Sequence, residues 1–128
     1  MKCRVEFDER RIIVAVQNGN LTALRRAGAY IRKAARNQVS ASEKASMPGT
    51  PPHTRRGLLK SSLLFGVEKR TQSAVIGPAE SFIGTAMVAH EFGGRYRKRR
   101  YPKRPLMGPT LRKTASKLPD LWEKSVKP

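Results

Sequence analysis

Leu21, Leu24, Gly28, Ile31, Ala35 and Val39 recur at steps of three and four residues, the longest regular spacing in the chain. An α-helix puts such positions on one face. Arg25, Arg26, Arg32, Lys33 and Arg36 lie mostly away from that stripe, so the spacing predicts a basic amphipathic helix over 21–39 whose apolar side must rest on the remainder of the fold. Upstream, Asp8 is placed to cap a shorter helix over 9–16, and Asn18-Gly19-Asn20 reads as a break between the two. Residues 1–7 are too few and too mixed to assign.

Beyond Val39 the periodicity ends. Residues 40–56 are rich in Ser, Pro, Gly and Thr, and include Pro48, Pro51, Pro52 and His53. Proline removes a backbone donor and biases its predecessor away from helix, which predicts an extended loop longer than compact domains usually carry. Residues 58–67 and 73–77 carry aliphatic and aromatic side chains between turn signals and read as two strands joined near 68–72. Leu58, Leu59, Leu63, Leu64 and Phe65 are the expected sheet core, and residues 81–92 read as a third strand. Leu111, Ala115, Leu118, Leu121 and Trp122 return to helical spacing within 110–127, interrupted by Pro119, which should kink that helix or start a new one. Trp122 is expected to anchor it in the core. The resulting class is α+β: one domain over 1–128, with a small antiparallel sheet packed by an N-terminal basic helix and a C-terminal helix, and a long Pro-rich loop.

Charge bounds the function. The 128 residues hold 27 Lys and Arg against 9 Asp and Glu, a net charge of +18, so the natural partners are polyanions or acidic protein surfaces. Part of the charge is concentrated in a basic arm over 95–105, through Arg95, Arg97, Lys98, Arg99, Arg100, Lys103 and Arg104. The lone Cys3 has no partner for a disulfide within the chain and is expected to be an inert free thiol, which fits a reducing compartment. No apolar run approaches the roughly 20 residues of a bilayer span, and the start of the chain carries no signal-peptide core. The expectation is a protein made in the cytoplasm with no membrane partner.

The stretch His90-Glu91-Phe92-Gly93-Gly94 begins like half of a zinc-protease motif, but the second histidine would fall at position 94, which is glycine. His53, His90 and Cys3 do not make up a ligand set for zinc. Ser61 and Ser62 lack the nucleophile elbow, and no phosphate-cradling glycine loop occurs. No catalytic residue, cofactor or metal is therefore expected. The physical reading is a strand end with Phe92 in the core and Glu91 at the rim, its carboxylate accepting from turn amides or a nearby arginine, then a reversal at Gly93-Gly94 that uses positive φ. Pro102 and Pro105 stiffen the exit, and Pro109 suits the first turn of the last helix.

Taken in order, these stretches resemble the tail-completion family of long-tailed bacteriophages, which includes the minor tail protein Z group and the related head-to-tail joining neck proteins. Gly57-Leu58-Leu59-Lys60-Ser61-Ser62-Leu63 looks like that family's TGxLxxSI element, Val75-Ile76-Gly77-Pro78 like its VGP strand end, and Glu91-Phe92-Gly93-Gly94 like its EFGT. Pro102-Lys103-Arg104-Pro105-Leu106-Met107-Gly108-Pro109-Thr110-Leu111 looks like its PARPFLRPAL. The likeness runs over 21–126, with two departures: Arg56 and Gly94 stand where the family has threonine.

The resemblance implies a structural virion protein that forms a ring, usually six-fold, at the head-proximal end of the tail and joins tail tube to head connector. The implied partners are further copies of the chain, the neighbouring connector or stopper proteins, and tail-tube or tail-terminator proteins, with packaged DNA passing through the ring. Under this reading Pro48, Pro51, Pro52, His53 and Arg56 of the loop, and Arg95, Tyr96, Arg97, Lys98, Arg99, Arg100, Tyr101, Lys103 and Arg104 of the arm, form subunit and partner contacts. Gly57, Gly77, Glu91, Phe92, Gly93 and Gly94 shape turns. The alternative class is a basic nucleic-acid-binding protein in which Tyr96 and Tyr101 stack on bases between arginines, although the chain carries no zinc-finger, basic-zipper or RNA-recognition signature.

Overall fold

The computed structural model describes residues 8–84 and 86–126. The expectations for residues 1–7 and Cys3, and for the last two residues of the chain, lie outside them. One long helix dominates. Helix α1 (Glu9–Gln38) runs unbroken for 30 residues, about 45 Å at 1.5 Å per residue, and Asp8 caps it by accepting from the amide of Arg11 at 3.2 Å.

The expected break at Asn18-Gly19-Asn20 does not occur, because tertiary contacts use both Gly19 and Asn20. A Cβ on Gly19 would sit 2.6 Å from the carbonyl oxygen of Ser125, so the glycine admits the C-terminal segment. The Asn20 side chain donates to Gln72 Oε1 at 2.9 Å and accepts from Trp122 Nε1 at 2.8 Å. Trp122 is thus a half-buried anchor with its indole N–H satisfied, as a packed Trp requires.

Helix α2 (Leu58–Ser62) and strand β1 (Leu63–Glu68) replace the single strand expected over 58–67. Gly57, at φ +73°, starts the helical turn, and the hydroxyls of Ser61 and Ser62 donate to the carbonyls of Gly57 and Leu59. Local serine bonds of this kind compete with a strand ladder. Leu59 and Leu63 are buried as expected, Phe65 is half-buried, and Leu58 and Leu64 are exposed. Strand β2 (Ser73–Pro78) pairs antiparallel with β1 in the register Leu63↔Pro78 through Glu68↔Ser73, so the turn falls where the sequence places it. Gly77 lies inside this strand, one residue before its end, rather than in a turn.

No third strand forms over 81–92. Helices α3 (Glu80–Ile83) and α4 (Ala86–Phe92) occupy that stretch, separated at Gly84, whose φ is +65°. A short apolar run fits a buried strand or a helix equally well by pattern alone. Phe92, expected in the core, is 75% exposed at the end of α4. After the reversal at Gly93 (φ +74°) and Gly94 (φ +126°), the basic arm is a hairpin of strands β3 (Gly94–Tyr96) and β4 (Arg99–Tyr101). The chain closes with helix α5 (Met107–Thr114), a 3-10 turn (Ala115–Lys117) and helix α6 (Leu118–Trp122), a new helix with Pro119 in its first turn, one of the two outcomes the proline predicts.

The core lies where these pieces meet α1. Ala35, Val39, Leu59, Leu63 and Leu106 form its buried centre, with Ile83, Met87 and Met107 packed against it. Two arginines of α1 are used structurally: Arg32 Nε donates to the Leu63 carbonyl at 2.8 Å and Arg36 Nε to the Lys60 carbonyl at 3.1 Å. The architecture is α+β, as expected, with two separate two-stranded sheets.

Candidate interaction surface

The Pro-rich loop is pinched at its base rather than trailing free. Thr54 donates its amide to the Ser40 carbonyl at 3.0 Å and accepts from the Ser42 amide at 3.1 Å, giving a single parallel bridge between Ala41 and Thr54. Farther out, the Gly49 amide donates to the Lys103 carbonyl at 2.8 Å, and Arg104 Nε donates to the Ser46 carbonyl at 2.8 Å. The loop is therefore tied at two points to the segment that leaves the basic hairpin. Within the loop Pro52 is buried, Pro51 is half-buried, and Pro48, His53 and Arg56 are exposed. His53 Nδ1 lies 2.9 Å from the Lys44 carbonyl; a carbonyl only accepts, so this nitrogen carries the ring proton.

The hairpin presents Arg95, Arg97, Lys98, Arg99 and Arg100 to solvent, with Lys103 beyond it, while Tyr96, Tyr101 and Arg104 are half-buried. Tyr96 and Tyr101 pack at 6.3 Å between ring centroids, His90 meets Tyr101 edge-on at 5.4 Å, and the Arg97 guanidinium lies 5.5 Å over the Tyr96 ring. The tip residues are unusual. Arg97 and Lys98 have φ of +47° and +67°, the left-handed region that tight hairpin turns require and that Asn-Gly ordinarily fills.

Two cavities flank this surface. One, of about 260 Å³, is lined by Lys44, Ser46, His53, Arg55, His90 and Arg104 among others. The other, of about 410 Å³, lies between Pro52, Arg56, Leu58 and Leu59 on one side and Ile83, Met87 and His90 on the other. Burial, and then the positive charge of Arg104, hold His90 below its ordinary value of 6.5. Lys44, Ser46, Arg55 and His90 were not among the residues expected to form the surface, and no local pattern marks them: they meet only because the loop folds back onto α4.

A second unexpected feature is the start of α1. Ile12, Ile13, Val14 and Val16 are 44–55% exposed. Successive helical residues point about 100° apart, so these four spread over roughly 200° of the helix circumference rather than along one stripe. The run Ile12-Ile13-Val14 was the available signal, since three consecutive aliphatics do not fit a one-sided stripe. Phe82, Val88 and Phe92 make further exposed apolar surface on α3 and α4.

Among the described residues no group of three or more His, Cys, Asp or Glu gathers as a metal site, and no helix is long and apolar enough to cross a membrane. Comparison of the chain with protein-family models, with curated proteins and with solved structures finds no match.

Proposed function

We propose that the protein is a structural virion subunit that assembles with further copies of itself into a ring at the head-proximal end of a phage tail, joining tail tube to head connector. The observation that carries the assembly reading is the start of helix α1, where aliphatic side chains cover more than one side and are 44–55% exposed. A single apolar stripe suffices to seat a helix on its own fold, whereas these side chains leave apolar surface on more than one side. Full burial of an exposed aliphatic side chain is worth about 1.5–3 kcal/mol, roughly half of which is still to be gained at each of these positions. Burial by a neighbouring subunit on each side is the economical solution in a closed ring.

The placement in a tail rests on the resemblance. Its last two elements are joined in space: Glu91 of the EFGT-like stretch accepts from the amides of Leu106, Met107 and Gly108 in the PARPFLRPAL-like stretch, at 2.7, 3.1 and 2.8 Å. Under this reading the basic hairpin meets an acidic face of the adjoining ring, where complementary charge sets register and association rate. The experiment is light scattering of the purified protein together with electron cryomicroscopy of assembled particles. A ring between head and tail, with the start of α1 at the subunit boundary, is the expected result. A protein absent from particles would overturn it.

A further inference from the structure

We propose that the cavity enclosed by the 40–56 loop, helix α4 and strand β4 is a binding site for a single phosphate group. Three cations, Lys44, Arg55 and Arg104, line it, and no carboxylate does. Its wall is fixed from both sides: Arg104 donates its amide to the His90 carbonyl at 2.6 Å and its Nε to the Ser46 carbonyl at 2.8 Å. Among the described residues, the buried side-chain polar atoms without a hydrogen-bond partner are Ser46 Oγ and His90 Nδ1, and both residues belong to this wall. Ser46 is only 5% exposed. Buried polar groups are otherwise satisfied almost without exception, so two orphans beside three cations point to an anionic ligand.

Size and donor number select the anion. At about 260 Å³ the cavity falls below the roughly 300–1,000 Å³ of sites for drug-sized molecules. A carboxylate brings two oxygens and one charge. Phosphate brings more acceptor oxygens and up to two charges, which matches two guanidinium groups, one ammonium and a hydroxyl. His90 is held toward its neutral form by burial and by Arg104, so the positive charge of the wall rests with Lys44, Arg55 and Arg104. The site stands independently of ring assembly.

The test is calorimetric titration of the full chain with inorganic phosphate, at ionic strength held constant with chloride and with acetate as the competing small anion. Phosphate is expected to bind one site at least about tenfold more tightly than acetate, and K44Q/R55Q to weaken it by about tenfold, as for loss of charged hydrogen bonds. R10Q/R11Q removes the same charge from the start of α1 and is expected to change affinity less than about twofold, because screening limits attraction at a distance. Ser46→Ala removes an unpartnered hydroxyl, so the unfolding temperature is expected to hold or rise while phosphate affinity falls by about threefold or more. Equal weakening by the two charge pairs, equal binding of acetate, or unchanged affinity in Ser46→Ala each overturns the proposal. A thymidine tetranucleotide without terminal phosphates separates the sources: competition with inorganic phosphate assigns the site to a nucleic-acid backbone, and phosphate binding without such competition assigns it to free phosphate or a monoester.

Discussion

The Glu91 carboxylate, at the end of helix α4, accepts the Leu106 amide at 2.7 Å and so caps the entry to helix α5 from 15 residues away in sequence. It also takes the amides of Met107 and Gly108; the next position is Pro109, which has no N–H, so Glu91 pairs every donor that this helix start leaves free, and its negative charge suits that end of the helix dipole. Leu106 itself is fully buried in the core. Glu91→Ala is expected to lower the unfolding free energy by about 1.5–3 kcal/mol, the range for hydrogen bonds to a charged acceptor. Glu91→Gln keeps one acceptor oxygen and should lose roughly half of that. Urea denaturation of both variants checks the ordering, and a loss below about 0.5 kcal/mol in Glu91→Ala would mean water caps the helix equally well.

Gly28 faces the ring of Phe65. A Cβ there would lie 2.5 Å from Cδ2 and 3.0 Å from Cγ, atoms near the base of the side chain that cannot swing aside without moving β1. Alanine would gain about 1 kcal/mol in helix propensity over glycine, yet overpacking a closed contact costs about 1–3 kcal/mol. Gly28→Ala is expected to destabilise, and Phe65→Leu in the same chain to recover part of the loss. A double-mutant cycle in thermal unfolding tests this; additive effects would show that the two residues do not collide.

The pH dependence of stability follows from His90. Its folded value lies below the ordinary 6.5, through burial first and the Arg104 charge second. Well above 6.5 the ring is neutral in both states and contributes no pH dependence. As pH falls below 6.5 the unfolded chain takes up a proton that the folded chain resists, so stability is lost with acidification, by at most about 1.4 kcal/mol per pH unit from one group. Of the cations on the cavity wall, Arg104 is the one that adds to that direction. His90→Phe keeps an aromatic edge toward Tyr101 and should flatten the slope between pH 6.5 and pH 5 relative to the parent; parallel slopes would remove His90 as the cause.

On the assembly reading, the start of α1 is where folding and ring formation can be told apart. Ile13 is 55% exposed, and Glu is at least as good a helix former as Ile, so Ile13→Glu is expected to leave monomer stability within about 0.5 kcal/mol. It should abolish ring formation, because an unpaired charge inside an apolar interface is strongly disfavoured. Light scattering reads the outcome. Rings that form as in the parent would place the subunit boundary elsewhere and take away the observation on which the assembly reading rests.

What could be read from sequence, and what could not, divides along a physical line. The stripe from Leu21 to Val39, the Asp8 cap, the β1–β2 turn and the Gly93-Gly94 reversal are set by neighbouring residues, and each is where local chemistry puts it. Asn18-Gly19-Asn20 misled because Ser125, Gln72 and Trp122, all distant in sequence, pack against Gly19 and pair the side chain of Asn20. The stretch 81–92 misled because an apolar run of that length lacks a period that separates strand from helix. At the candidate surface, the loop's prolines and the arm's cations were legible as composition. The joining of the loop to the end of the basic arm through Arg104 and Ser46 was not, since it exists only in three dimensions.

The tip of the basic hairpin is the clearest case of local preference set aside. Arg97 and Lys98 both hold positive φ, which costs an ordinary residue roughly 1 kcal/mol or more, and Asn-Gly is the pair that such a two-residue turn favours. R97N/K98G is therefore expected to stabilise the hairpin, seen as slower amide exchange in β3 and β4, with a gain of about 1 kcal/mol. It also removes the guanidinium that lies over Tyr96 and two exposed charges. If those cations face an acidic partner, the variant should be more stable alone, slower to join particles, and less sensitive to salt in doing so. Backbone strain retained at an exposed, charged tip is the motive for testing it as a contact surface, and a variant that is both more stable and equally quick to assemble would show that this tip touches nothing.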